Sequence, residues 1–240
     1  GSEMCIRDRL WTKGFGERFE QKFCYDIRPF MTDIDANPHE RYDYRKLIAE
    51  MVVDEFYRPF TEICHQLGAH SRVQCHGAPT DLLAAYGSID IPETEAILFD
   101  ADFATIPASA AALSGKNVVS CESFTCLYGW KSRPGPGQHQ GEEKLADIKL
   151  LADALFANGV NHIFWHGMPF SPEGKQQRFY ASVHVGPDAS FAKELPAFNQ
   201  YLADISKTMK EGKAYSDVAV LLPFEDCLMK GDLPEEMLKP

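Results

Sequence analysis

Four short runs in this chain end in residues able to move protons. His76-Gly77 follows Arg72-Val73-Gln74-Cys75, and Glu93 and Glu95 follow Ser88-Ile89-Asp90-Ile91-Pro92. Glu122-Ser123 follows residues 117–121, and His166-Gly167 follows residues 160–165. Carboxylates and imidazoles serve as general acids and bases when their environment tunes them. Two carboxylates across one glycosidic bond suffice to hydrolyse it: one protonates the leaving oxygen, and the other activates water or attacks the sugar. Glu122 ends the run Val118-Val119-Ser120-Cys121, where an unpaired carboxylate is costly, so it needs a partner or a task. Trp165 and Tyr128 offer flat faces for a sugar ring. More ordinary roles compete at several positions. Glu93 and Glu95, in Pro-Glu-Thr-Glu, could be first-turn helix charges. His166 could pack on Trp165, and His76 could likewise be a satisfied core histidine. Asp81, after Pro79-Thr80, reads as a helix cap. Asn161 and His162 alternate along one strand and cannot both face inward. His65, His70 and His139 carry no functional argument. The chain has no G-x-S-x-G, G-x-x-x-x-G-K or G-x-G-x-x-G, so serine-hydrolase, P-loop and Rossmann chemistries lack their motifs.

The elements that must hold these groups alternate between helix and strand. Leu47, Ile48, Met51, Val52, Phe56, Phe60, Ile63, Cys64 and Leu67 recur at helical spacing, and Pro59 predicts a kink or a split there. Gly68 stops that helix, and 72–76 reads as a strand. A small-residue helix over about 107–114 stops at Gly115, and a strand follows over 117–121. Leu145, Ile148, Leu151, Leu155 and Phe156 mark another helix, stopped by Gly159 and followed by a strand over 160–165. Glycine just past a helix end takes the left-handed conformation that closes the last turn. Three such joints predict an α/β fold with a parallel sheet and crossover helices. In a parallel barrel the carboxyl ends of the strands share one mouth, where active sites are built. The segment 133–137, Arg-Pro-Gly-Pro-Gly, must be a loop, and 167–194 is loop-like. A helix on Phe198, Leu202, Ile205 and Met209 stops at Gly212. Residues 217–223 then look like the first strand of another unit, with a boundary near 213–216.

Composition narrows the function classes. Over 240 residues, Asp and Glu outnumber Lys and Arg by 35 to 24, a net charge of −11 with no basic run, which argues against nucleic-acid binding. No apolar stretch approaches the roughly 18–20 residues a membrane-spanning helix needs. The seven cysteines include no C-x-x-C, so a zinc site on cysteine spacing is not expected, and most read as small buried apolar residues. Residues 1–10 look foreign to the rest: Gly1-Ser2 resembles a cloning remnant, and 3–9 show neither periodicity nor a cap.

Several blocks together resemble glycoside hydrolase family 106, the α-L-rhamnosidases. They are Arg72-Val73-Gln74-Cys75-His76-Gly77-Ala78-Pro79-x-Asp81, Asp90-Ile91-Pro92-Glu93-Thr94-Glu95, Gly115-Lys116-x-Val118-Val119-Ser120-x-Glu122-Ser123-Phe124-Thr125, and Gly159-Val160-Asn161-His162 with His166-Gly167. Trp11-Thr12 and Tyr25-Asp26 also fit. The resemblance spans about 11–222. It implies strands five to eight of a (β/α)8 TIM barrel over 11–212, with 213–240 leading into a following domain. The other half of the barrel would then lie outside this chain. It implies inverting hydrolysis of rhamnose-containing oligo- or polysaccharides by a secreted or periplasmic parent. Glu122 matches the general base on the seventh strand, Glu93 or Glu95 an acidic group near calcium, and His76 and His166 sugar-contacting positions. The family's general acid is a glutamate shortly before the Trp-Thr pair. Met4, Cys5, Ile6 and Arg7 stand there, and the context of Glu3 does not match. A fragment lacking its acid, and inactive alone, is therefore expected. Two other readings remain open: a retaining galactosidase- or glucuronidase-like barrel with Glu122 as nucleophile, and a non-catalytic carbohydrate-binding fragment.

Overall fold

The computed structural model describes residues 9–97, 101–125, 127, 143–167, 185–187, 189–221 and 223–230. Tyr128, the 133–137 segment, His139, Cys5, Cys126, positions 3–7 and most of the 167–194 stretch lie outside these.

Helix α1 (Phe15–Phe23) leads through a 3-10 segment (Arg28–Ala36) into α2 (Pro38–Val52). Phe15, Phe19, Ile27, Ile34, Tyr44, Leu47 and Ile48 form one buried cluster between them. Leu10 belongs to this part, because its carbonyl accepts from the Tyr44 hydroxyl at 2.6 Å. After α2 a π-helical turn (Val53–Tyr57) runs into α3 (Arg58–Gln66). The interruption expected near Pro59 takes the form of this π-helical turn, across which Val52, Val53, Tyr57 and Arg58 all keep right-handed helical dihedrals. The Arg58 N–H reaches back five residues to the Val53 carbonyl. A widened turn accommodates the proline ring, which in a regular helix clashes with a carbonyl one turn earlier.

The remainder is a four-stranded sheet in the order β1 (Arg72–Gln74), β2 (Ile91–Ile97), β3 (Ser120–Thr125), β4 (His162–Trp165). Every neighbouring pair is parallel. Crossovers run through α4 (Leu82–Gly87), α5 (Thr105–Leu113) and α6 (Leu145–Ala157), and α7 (Leu195–Glu211) follows β4. The expected alternation is thus present, and the three helix–glycine joints have φ of 71° at Gly68, 69° at Gly115 and 94° at Gly159. Gly159 is needed twice over, since a Cβ there would also stand 2.8 Å from the Ala108 methyl. Asp81 caps α4 as expected, its Oδ1 accepting from the Leu83 and Ala84 amides.

One face of the sheet is apolar and covered by helices. Ala96, Val119, Cys121, Phe124, Ile148, Leu151, Leu155, Phe198 and Leu202 are buried together there. Burial pushes the Cys75 and Cys121 thiols up to about 12, as suits inert core residues. Cys24 and Cys227, however, are exposed and Cys64 is half-buried, so among the described cysteines burial is not the expected majority state.

Two departures concern the carboxyl end. Residues 217–221 form no strand; Val218, Val220 and Leu221 are exposed, and no described segment pairs with them. A strand needs a neighbour to satisfy its backbone groups, and hydrophobic sequence alone does not supply one. The short helix α8 (Phe224–Met229) then packs back on α2. Glu225 pairs with Lys46 and accepts from Tyr42, and the Met229 carbonyl accepts from Arg41.

Candidate active site

Strand register assembles the site. It sets Gln74 beside Glu93, Glu93 beside Ser120, Glu95 beside Glu122, Ser120 beside His162, and Glu122 beside Phe164. Because successive strand residues point to opposite faces, these side chains share the face away from the helix-covered core. The acids were expected just beyond the strand ends. Glu93, Glu95 and Glu122 instead lie inside β2 and β3, whose bounds run further along the chain than hydrophobicity indicates. Polar side chains persist within a parallel strand here because they satisfy one another.

Glu122 is the centre of that network. Its Oε2 accepts from Gln74 Nε2 at 2.7 Å, and its Oε1 stands 3.0 Å from His166 Nδ1. Thr125 Oγ1 lies 2.9 Å from the same imidazole nitrogen. The Glu122 side chain remains 34% exposed, so its orientation is fixed while water still reaches it. Glu93 differs. It is 7% exposed, and its Oε2 accepts from Ser120 Oγ at 2.8 Å and faces Arg72 Nε at 3.3 Å. Its Oε1 accepts from Gln74 Nε2 at 3.3 Å. The Arg72 guanidinium in turn lies 3.5 Å over the Phe164 ring. Such a carboxylate is a buried charge balanced by its donors, with no oxygen left over.

His76 and Glu95 form a second pair nearer the mouth, with Nε2 to Oε2 at 3.5 Å. The hydroxyl of buried Tyr86 sits behind His76, 3.3 Å from its backbone nitrogen and 3.5 Å from Nδ1. Phe103, just after β2 and 51% exposed, lies 6.3 Å from the His76 ring.

Trp165 is not brought to this face. It alternates with Phe164, packs on Phe124 and Phe198 at 4.7 and 5.9 Å between ring centroids, and donates from Nε1 to Asn199 Oδ1 at 3.1 Å. The expectation that it lines the sugar site fails on strand parity: Glu122 pairs with Phe164, and the next residue must point the other way. Among the described residues, half-buried Phe164 shares the face of Glu122, and exposed Phe103 lies beside His76. Arg72, Gln74 and Ser120 were also missed. Arg72-x-Gln74-x-His76 carries the signal that could have found the first two, since polar residues at every second position of a strand mark a polar face.

Only oxygen donors suit a hard ion such as calcium. Glu93 does not fit that role, because its oxygens are already engaged. Glu95 fits as one carboxylate ligand, its partner among the described residues being His76.

A parallel sheet presenting carboxylates and imidazoles, held at fixed distances on one open face, is the kind of site found in carbohydrate-cleaving enzymes. The comparisons agree with that class. The chain belongs to the glycoside hydrolase 106 family, described as alpha-L-rhamnosidase, whose model matches residues 6–230. The match takes in residues 6–10, which had looked foreign to the rest. A protein of Formosa agariphila that bears a provisional name as a beta-glucuronidase is 25% identical over 225 residues, covering 88% of this chain and 18% of the relative. The structure of a rhamnosidase from Novosphingobium sp. PP1Y superposes with a TM-score of 0.64 at 19% identity, over 85% of this chain and 21% of that one. This chain thus spans about a fifth of either relative's length.

Proposed function

We propose that this chain is part of a (β/α)8 catalytic barrel, its strands five to eight, in a larger secreted or periplasmic α-L-rhamnosidase. The proposed substrates are rhamnose-containing oligo- or polysaccharides. The observation that carries the reading is the position of Glu122, fixed by Gln74 and His166 yet open to water, in a chain of this family. Glu122 takes a proton from water, the water oxygen attacks the anomeric carbon, and the glycosidic C–O bond breaks with inversion. The leaving oxygen takes its proton from a general acid outside the described residues. His76, His166 and Phe103 line the sugar's position. Calcium, held in part by Glu95, would grip vicinal hydroxyls of the sugar. Glu93 keeps Arg72 and Gln74 in place.

The test uses the full-length parent. Glu122→Gln preserves size and removes the base, so kcat on an α-L-rhamnoside should fall about 10²–10⁴-fold. Retention of more than a tenth of the activity sinks the assignment. The 240-residue chain alone should turn over no rhamnoside, because a barrel mouth needs all its strands around the substrate. The name of the Formosa relative favours one second reading: a retaining glucuronidase with Glu122 as nucleophile. The anomer released first, followed by NMR, separates the two, since inversion gives the opposite configuration and retention the same one.

A further inference from the structure

We propose that His65, His70 and Asp90 form a site for a zinc-class divalent metal ion at the amino-terminal end of the sheet, remote from Glu122. One ligand atom from each lies within 4.8 Å of the other two. His65 Nε2 is 3.0 and 2.9 Å from the two Asp90 oxygens, and His70 Nδ1 is 3.9 Å from Asp90 Oδ2. Ligand atoms about 2.0–2.1 Å from a tetrahedral zinc stand roughly 3.4 Å apart, so the set needs only a small contraction. His70 can supply it, because its side chain is 79% exposed.

Three features make this more than a surface ion pair. First, the ligands come from separate segments that the backbone fixes. The last turn of α3 closes at Gly68, with the Ala69 amide on the Cys64 carbonyl at 2.8 Å and the Gly68 amide on the His65 carbonyl at 3.0 Å. That closure sets His65 and His70 at a ring separation of 6.4 Å. Second, the carboxylate is already oriented. Asp90 Oδ2 accepts from the Ser71 amide at 2.8 Å and from Ser71 Oγ at 3.1 Å, and the Asp90 amide donates back to Ser71 Oγ at 2.9 Å. Metal-binding side chains depend on such outer partners for their aim. Third, the chemistry is selective. Two imidazoles and one carboxylate suit zinc and its neighbours, whereas calcium requires oxygen throughout. The carbonyl end of α3 adds negative potential at the same place. Three protein ligands leave one position for water. The ion would tie the end of α3 to the start of β2.

The experiment titrates the metal-free 240-residue chain with zinc at neutral pH, in competition with a chromogenic chelator, and repeats it with cobalt(II) to read the ligands. One ion should bind with micromolar or tighter affinity, and cobalt should give a tetrahedral spectrum without a thiolate charge-transfer band. His70→Ala should weaken binding about tenfold or more with an unchanged circular dichroism spectrum. This is the decisive variant, because so exposed a ring contributes little to folding. His65→Ala should act similarly, and His39→Ala, at an unrelated exposed site, should not. Affinity no tighter than millimolar, an unchanged affinity in His70→Ala, or a thiolate band placing the ion on cysteine would each overturn the proposal.

Discussion

On the helix side of the sheet, Ala96, Val119, Cys121 and Phe124 are buried among α5, α6 and α7. On the other side the same strands present Gln74, Glu93, Ser120 and Glu122, joined by hydrogen bonds between 2.7 and 3.3 Å. The first face is held by the removal of apolar area from water, which does not depend on direction. The second is held by donors and acceptors whose geometry must be met, and each unmet partner is a cost. Stability therefore resides mainly in one face and chemistry in the other. Glu93 is the residue that joins the two accounts, buried like a core residue yet bonded only to polar groups.

Substitutions can test that division. The largest effect should come from Glu122→Gln in the parent: the rate loss expected of a missing base, with an unfolding free energy within about 0.5 kcal/mol of the original, as for other surface changes. A large loss of stability would show that the polar face is structural. Leu155→Ala should behave in the opposite sense. Leu155 is 0% exposed, and a truncation of this kind costs about 2–5 kcal/mol, readable as a lower urea midpoint of the isolated chain. Glu93→Gln should fall between, at about 1–3 kcal/mol, because it removes the charge that Arg72 and Ser120 address. A stability equal to the parent's would show that Arg72 is satisfied by Phe164 and solvent alone.

The smallest effect is pH-dependent. Burial, then the positive charges of Lys210 and Arg72, hold the His162 pKa below its ordinary value of 6.5. The unfolded chain therefore takes up the proton first on acidification. The folded state carries no penalty above about pH 6.5 and loses stability as the pH falls from there towards the lower folded value. His162→Asn should flatten that part of the urea-midpoint profile. An unchanged slope would assign the acid sensitivity to another group.

Much of this architecture is legible in the residues alone. The glycine joints at 68, 115 and 159 and the helical periodicities give the order of elements, because both follow from local backbone chemistry. What strand parity does to individual side chains is less accessible. The type and position of Trp165 suggest the sugar face, yet the register of β4 against β3 turns it to the core. Arg72, Gln74 and Ser120 escape notice because their importance lies in partners on other strands. The largely hydrophobic stretch at 217–223 reads as a strand since nothing in a sequence says whether a neighbour exists. Glu122 stands out because an acid after an apolar run is anomalous without any knowledge of the fold.

Strand β3 changes phase part way along. Glu95 pairs with Glu122 but Ile97 pairs with Thr125, so β3 uses one residue more than β2, and Phe124 takes φ of 74°. Such a backbone angle costs a non-glycine residue about 1–3 kcal/mol, which burial of a whole aromatic ring offsets. The extra residue sends Phe124 into the helix core and brings Thr125 round to His166. The surplus residue therefore acts as a frame marker for the rest of the strand. Regular alternation with every residue kept would turn Phe124 to the polar face and Thr125 to the core, whereas deleting a single residue at 123 or 124 would remove the bulge and leave Thr125 on the Glu122 side. A descendant lineage could alter the side chains around Glu122 one at a time, but it could lose this bulge and keep Thr125 beside His166 only by losing a residue with it. A strand of the same length grafted here without the bulge would carry the right residues in the wrong phase.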